Sequence, residues 1–237
     1  MKMAKQLLIL LCLTFTFGVT QAQRVVSNPS VAEVSHPELV IDKISFYGDS
    51  TVVNLTLENK LDKGGWFCAD KNVYIENPQT RQRFTLKKSA GIPTCPNNHS
   101  FSKKDEKLSF TLVFPYVPSD LRTLNLVEDC NKSCFSFRGI ILDDKLNADI
   151  RAFNQGMEYY TSNKIDKANE CFAKVVEVIP AYPTHVYGYA YYHLVVIYQT
   201  QNNNEKAKYW FTNLERSPLP DKQYFIDEIK RNKGIPK

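Results

Sequence analysis

The sequence carries few of the residues that build catalytic or metal sites. It has four histidines, and no histidine pair stands with a carboxylate at the spacing of a helical zinc motif. It contains no Gly-x-Ser-x-Gly elbow, phosphate-binding loop or dinucleotide fingerprint. Adjacent carboxylates such as Glu128 and Asp129 point apart on a strand, so they make no acid–base pair. We therefore expect no enzymatic activity, no metal and no cofactor.

A strong charge of one sign is also missing. Lys and Arg number 30 against 25 Asp and Glu, a net charge of +5 without a long basic run. This balance argues against a nucleic-acid-binding protein. Nine glycines and twelve prolines exclude collagen-like and low-complexity classes. With 43% apolar residues, the 237-residue chain can form one large or two small domains with a sizeable core.

No apolar run is long enough to span a bilayer as a helix. The longest, Leu7 to Val19, follows Lys2 and Lys5 and ends before a small-x-Ala pattern that closes at Ala22. This three-part layout predicts a secretory signal peptide over residues 1–22, cleaved after Ala22. We expect a secreted or periplasmic protein with no membrane span.

Five cysteines remain after removal of the signal peptide, at positions 68, 95, 130, 134 and 171. In an oxidising compartment they can form disulfides, and an odd number leaves at least one thiol free. Cys171 falls in a helical pattern and is expected to be that buried free thiol. A turn-like Asn-Lys-Ser separates Cys130 from Cys134, which favours a bridge there, with Cys68–Cys95 as the default second bridge. The alternative is a thiol–disulfide component that uses Cys130 and Cys134, although redox pairs usually open a helix.

The sequence pattern predicts β-strands in the first half of the mature chain. Val53, Leu55 and Leu57 alternate with polar residues, and seven such runs occur between residues 38 and 143 with no helical pattern between them. A turn at Asn77–Thr80 separates two of the runs. The pattern predicts an antiparallel β-sandwich of about seven strands over residues 38–143, preceded by an N-terminal tail over residues 23–37.

The strand half also resembles an immunoglobulin-like β-sandwich module of exported bacterial proteins. The resemblance rests on four segments: residues 91–93, 110–115, 124–128 and 135–140. A binding role for this half is a further alternative, because Trp66 and nearby aromatic residues could present a carbohydrate-binding surface.

From Asp144 to the C-terminus the apolar residues recur at steps of three and four, which predicts amphipathic helices. Five residues repeat at a spacing of 39: Tyr159, Asp166, Lys167, Ala168 and Phe172 align with Tyr198, Glu205, Lys206, Ala207 and Phe211. This half, residues 144–237, resembles the tetratricopeptide repeat, whose unit is 34 residues. The resemblance implies a two-repeat α-solenoid with the last helix as a cap. It also implies repeat-packing roles for Gly156, Tyr159, Ala168, Phe172, Pro180, Tyr198, Ala207 and Phe211.

In the tetratricopeptide family the first helix of each pair lines a groove that holds a peptide or helix. The matching positions here are Phe153, Met157, Tyr160, Tyr189, Tyr192, Val196 and Gln199. The resemblance therefore implies an adaptor that binds a protein or peptide of the cell envelope. The alternative is that this face packs against the strand half or the capping helix.

Overall fold

The computed structural model describes residues 23–233, in which β-strands are followed by helices. Twelve strands form two five-stranded sheets and one two-stranded sheet, and every strand pair in them is antiparallel. The strands are β1 (Arg24–Ser27), β2 (Val31–Val34), β3 (Leu39–Phe46), β4 (Ser50–Glu58), β5 (Trp66–Phe67), β6 (Val73–Glu76), β7 (Arg83–Thr85), β8 (Lys88–Ala90), β9 (His99–Ser100), β10 (Lys107–Pro115), β11 (Thr123–Glu128) and β12 (Ser136–Ile141).

The two large sheets share one hydrophobic core. Their strand orders are β1-β3-β4-β10-β8 and β2-β12-β11-β6-β7. On β4 the side chains of Val53, Leu55 and Leu57 are buried and the residues between them are half-exposed, as the alternation predicts. Leu112 of β10 lies opposite Val53, and Ile75 of the other sheet belongs to the same buried cluster. We call residues 23–143 the β half.

The segment expected to be a tail contains two strands. Residues 23–37 hold β1, which pairs with β3, and β2, which pairs with β12. Val26 of β1 is fully buried. The expectation of a tail is therefore wrong for this segment. Each strand has only four residues, and its place depends on pairing with a strand distant in the sequence.

All seven expected strand runs are present, but the number of strands is larger. The additional strands are β1, β2, β5, β8 and β9, each of four residues or fewer. Two of them, β5 and β9, pair with each other. The turn at Asn77–Thr80 joins β6 to β7, as expected. These five strands are too short to give a separate sequence signal, and each is recognised by its backbone pairing with another strand.

The described part of the second half contains five helices: α1 (Asp144–Thr161), α2 (Ile165–Val176), α3 (Val186–Thr200), α4 (Asn204–Arg216) and α5 (Lys222–Lys233). Helix α1 packs on α2, α2 on α3, α3 on α4, and α5 on both α3 and α4. The Asp143 side chain caps α1 by accepting a hydrogen bond from the Leu146 amide. None of these helices combines the length and the hydropathy that a bilayer crossing requires. We call residues 144–233 the helical half.

A buried polar cluster ties α1 to α3. The Tyr187 hydroxyl is fully buried and donates a hydrogen bond of 2.6 Å to Asp149, which also accepts from the Lys145 ammonium at 2.6–2.8 Å. Burial, together with the neighbouring Asp149 carboxylate, raises the pKa of Tyr187 far above its usual range. Tyr187 therefore remains a neutral hydrogen-bond donor, and this cluster fixes the relative position of the two helices.

The two halves are joined by hydrogen bonds at the start of α1. Asn147 is 1% exposed, and its side chain accepts from the Ser30 amide at 2.7 Å and donates to the Ile141 carbonyl at 2.9 Å. Farther along the junction, the Arg122 guanidinium lies 3.9 Å from the ring centre of Tyr182. The β half and the helical half are thus in direct contact.

Candidate functional site

Helices α1 and α3 bring the expected groove residues together on one surface. We call this surface the aromatic face; it consists of Phe153, Met157, Tyr160, Tyr189, Tyr192, Val196 and Gln199. Tyr189 is 43% exposed and Val196 is buried, while the other five side chains are half-buried. The face is therefore neither fully covered nor fully open to solvent.

His193 lies among the rings of the aromatic face. Its ring stacks on buried Phe172 at 5.1 Å between centroids, and Phe153, Tyr160 and Tyr192 lie 6.2, 5.4 and 5.5 Å away. Burial lowers the pKa of His193. Its Nδ1 atom has no hydrogen-bond partner within residues 23–233. The imidazole is therefore held neutral near pH 7, and the face carries aromatic rather than cationic character at its centre.

Helix α5 covers one side of this face. The Phe225 ring meets Tyr189 edge-on at 5.0 Å. Behind it, a Cβ atom added to Gly188 would lie 2.0 Å from a Phe225 ring atom, so α5 approaches α3 at a distance that only glycine permits. Part of this face, around Tyr189, therefore packs against the last helix, as the alternative prediction stated.

The repeat-packing residues lie inside the helical half. Phe172, Ala168 and Ala207 are fully buried, and Phe211 is 5% exposed. A Cβ atom added to Gly156 would lie 2.7 Å from the Phe172 ring, so the glycine allows α1 and α2 to approach closely. The remaining members, Tyr159, Pro180 and Tyr198, are half-buried.

The two helical hairpins have matching turns. Asn163 and Asn202 both adopt φ = 57°. In the first turn the Lys164 amide donates to the Tyr159 carbonyl at 2.8 Å, and in the second the Asn203 amide donates to the Tyr198 carbonyl at 2.8 Å. A lysine also lies against the tyrosine in each hairpin: Lys167 is 5.6 Å from the Tyr159 ring centre and Lys206 is 5.1 Å from that of Tyr198. The 39-residue spacing therefore recurs in backbone geometry as well as in sequence.

The cysteines form the two bridges that the sequence analysis expects, Cys68–Cys95 and Cys130–Cys134. The second bridge lies in the connection between β11 and β12, not at the start of a helix. Cys171 is free, as expected, but it is only partly buried rather than buried. Two disulfides fit an oxidising, exported location. The signal peptide and its cleavage after Ala22 lie outside the described residues.

Trp66 is 60% exposed and lines a cleft of about 780 Å³ at one end of the β half. Both disulfides contribute cysteines to the lining of this cleft. The cleft residues lie in the β half, whereas the aromatic face lies in the helical half. A second cleft, of about 850 Å³, lies among α2, α3 and α4 and contains Trp210. Within residues 23–233, no three histidine, cysteine or acidic side chains group closely enough to hold a metal ion.

Comparisons of the chain with protein-family models, curated proteins and solved structures find no match. The candidate sites therefore have to be judged on their own geometry.

Two residues with clear structural roles, His193 and Asn147, were not among the candidate residues predicted from the sequence. His193 is one turn from Tyr189 on α3, and this helical spacing is a signal that could have placed it on the aromatic face. Asn147 gives no comparable signal, because an asparagine early in a helix is ordinarily a solvated residue. Its role comes from contact with backbone groups of the β half.

Proposed function

We propose that the protein is an exported, non-enzymatic adaptor that binds a protein or peptide of the cell envelope through the aromatic face. In this proposal α1–α2 and α3–α4 are tetratricopeptide-type repeats that form a short solenoid capped by α5. The β half is an immunoglobulin-like sandwich that serves as a rigid base.

The repeat assignment is supported by the equivalence of the two hairpins. Their turns share the φ angle of Asn163 and Asn202, the same backbone hydrogen bond and the same lysine–tyrosine contact. A single helix pair cannot bury its apolar face alone, so repeats of this kind stack on neighbours. The contacts of α2 with α3 and of α5 with α3 and α4 are consistent with such stacking and capping.

The observation that carries the proposal is the partial exposure of the aromatic face. On α3, Tyr187, Ala190 and Leu194 are fully buried, whereas Tyr189 on another side of the helix is 43% exposed. Tyrosine combines a large apolar ring with a hydroxyl that tolerates water, which suits it to an interface that is formed and released.

The chemistry of the face specifies the kind of partner. Helix α3 contains no Asp, Glu, Lys or Arg, and His193 is held neutral by burial. The seven residues of the face are likewise uncharged, so the face itself offers no charge to pair with a charged partner segment. It suits a peptide or helix that presents apolar or aromatic side chains and leaves its charges outside the contact.

The proposal can be tested by capture from a native envelope extract with immobilised mature protein. A captured protein counts only if its purified form also binds. We expect Tyr189→Ala and Tyr192→Ala to weaken that binding while shifting the melting temperature by only a few degrees, because each removes a partly exposed ring. Tyr209→Ala is the matched control, because Tyr209 is 59% exposed on α4 and does not belong to the aromatic face.

Two results would contradict the proposal. In the first, the purified partner binds the Tyr189 and Tyr192 variants as tightly as the unaltered protein. In the second, either substitution unfolds the helical half, which would show that the rings serve the protein's own packing.

A further inference from the structure

The cleft at the end of the β half has the size of a small-molecule site. Its volume of about 780 Å³ falls within the roughly 300–1,000 Å³ typical of ligand pockets. Its base includes Leu57 and Phe101, which are 5% and 8% exposed, and Glu128, which is 6% exposed. The loop after β4 and the β11–β12 loop form its rim.

Trp66 stands in this cleft as an exposed aromatic platform. Its neighbour Phe67 also belongs to the lining and is partly buried, 6.0 Å from Phe110 and 6.2 Å from Phe135 in ring-centroid distance. Trp66 is 60% exposed, so its indole is accessible to a ligand in the cleft, while Phe67 packs on the core beneath. Leu61, also in the cleft lining, is 57% exposed.

The backbone that carries Trp66 is held firmly. Trp66 pairs with Ser100 across β5 and β9, and the Phe101 amide donates to the Gly65 carbonyl at 2.8 Å. Two residues further along, Cys68 is bridged to Cys95. Because the strand is already ordered, ligand binding would cost little conformational entropy there.

Three charged residues of the cleft lining, Glu58, Lys60 and Glu128, have partners within the protein. Glu58 pairs with Lys60 and with Lys107, and the hydrogen bond from Lys60 lowers the pKa of Glu58. Glu128 accepts from the amides of Asp70 at 2.6 Å and Phe135 at 3.0 Å. A charged ligand would therefore find little unpaired charge at these three positions, and two other lining residues, Glu38 and Lys132, are of opposite sign.

Polar groups that can still form hydrogen bonds lie at the rim. Asn98, Asn131 and Ser133 are exposed in the cleft lining, and amide and hydroxyl side chains can both donate and accept. A purely apolar ligand would remove these groups from water without replacing their hydrogen bonds, at a cost in free energy.

We propose that this cleft binds a neutral saccharide. One face of a pyranose ring carries C–H groups that pack on the electron-rich face of the Trp66 indole. The ring hydroxyls bond to Asn98, Asn131 and Ser133 at the rim. This site is separate from the aromatic face and does not depend on the adaptor proposal.

Binding of the labelled mature chain to an array of neutral glycans tests the proposal, followed by calorimetric titration with the saccharides that bind. We expect Trp66→Ala to weaken that affinity at least about tenfold, as the loss of an interface tryptophan commonly does. The matched control is Tyr116→Ala. Tyr116 is 47% exposed and follows the C-terminal end of β10. The cleft lies at the opposite end of this strand, where Lys107 pairs with Glu58.

A second measurement keeps the test valid if Trp66→Ala folds poorly. Trp66 and Trp210 are the two tryptophans of the chain, so Trp210→Phe leaves Trp66 as the sole emitter, and we expect saturable emission changes on titration with the bound saccharide. The proposal is overturned if no neutral glycan binds, if only charged glycans or peptides bind, or if Trp66→Ala and Trp66 emission are both insensitive to the saccharide. Tyr189→Ala should bind the saccharide normally, which separates this result from the adaptor test.

Discussion

Replacing Asn147 with alanine removes the side chain that joins α1 to the backbone of the β half at two points. The Ser30 amide loses its acceptor at 2.7 Å, and the Ile141 carbonyl loses its donor at 2.9 Å. Asn147 is 1% exposed, so water has little access to the groups that its loss would leave unpaired. We expect the junction between the two halves to weaken.

The size of the effect follows from the two hydrogen bonds. Each contributes about 0.5–1.5 kcal/mol net, so together they contribute about 1–3 kcal/mol to the free energy of unfolding. Alanine is the better helix former and returns up to about 0.7 kcal/mol. The matched control is Asn154→Ala, since Asn154 is exposed on the same helix. Because both variants share the gain in helix propensity, the difference between them isolates the hydrogen bonds.

The assay is urea unfolding followed by tryptophan emission, with Trp66 reporting on the β half and Trp210 on the helical half. We expect the Asn147 variant to be less stable than the Asn154 variant by about 1–3 kcal/mol. If the two variants agree within about 0.5 kcal/mol, the ordinary scatter of surface substitutions, the assigned role of Asn147 is refuted.

Three further outcomes are expected. Gly156→Ala should lower the free energy of unfolding by about 1–3 kcal/mol despite better helix propensity, because the added Cβ would lie 2.7 Å from the Phe172 ring; an increase in urea midpoint would disprove the close approach. Replacing Cys130 and Cys134 together with serine should leave the protein folded and cost less than about 3 kcal/mol, since the bridge closes a very short loop; reductase activity that disappears in this variant would favour the redox alternative. Mass spectrometry of the exported protein should find Gln23 at the N-terminus, and a retained leader would contradict the assignment of the signal peptide.

The sequence was informative wherever one element buries one face over several turns or strand residues. The alternation of Val53, Leu55 and Leu57 predicted β4, and its side chains are buried as expected. Likewise, Gly156 was expected at a helix contact and lies against Phe172. The alternation on β4 is a periodic composition that can be recognised without knowledge of the partner element, whereas the expectation for Gly156 came from the resemblance to the tetratricopeptide repeat.

The candidate sites depended more on contacts between distant segments. The tail assigned to residues 23–37 became β1 and β2 because each pairs with a strand far along the chain. A single tryptophan beside glycines is more often a packed plug; in the structure Trp66 is 60% exposed, and only the tertiary structure decides between the two readings.

Local sequence thus determined that strands precede helices and which cysteines pair, because hydrophobic period and cysteine spacing are properties of short segments. Only the tertiary structure decided how far the aromatic face is open, since Tyr189 is partly covered by Phe225 of α5. It also decided that Asn147 joins the two halves, because that role consists of hydrogen bonds to Ser30 and Ile141. Contacts of this kind depend on packing between elements and produce no periodic pattern in the sequence.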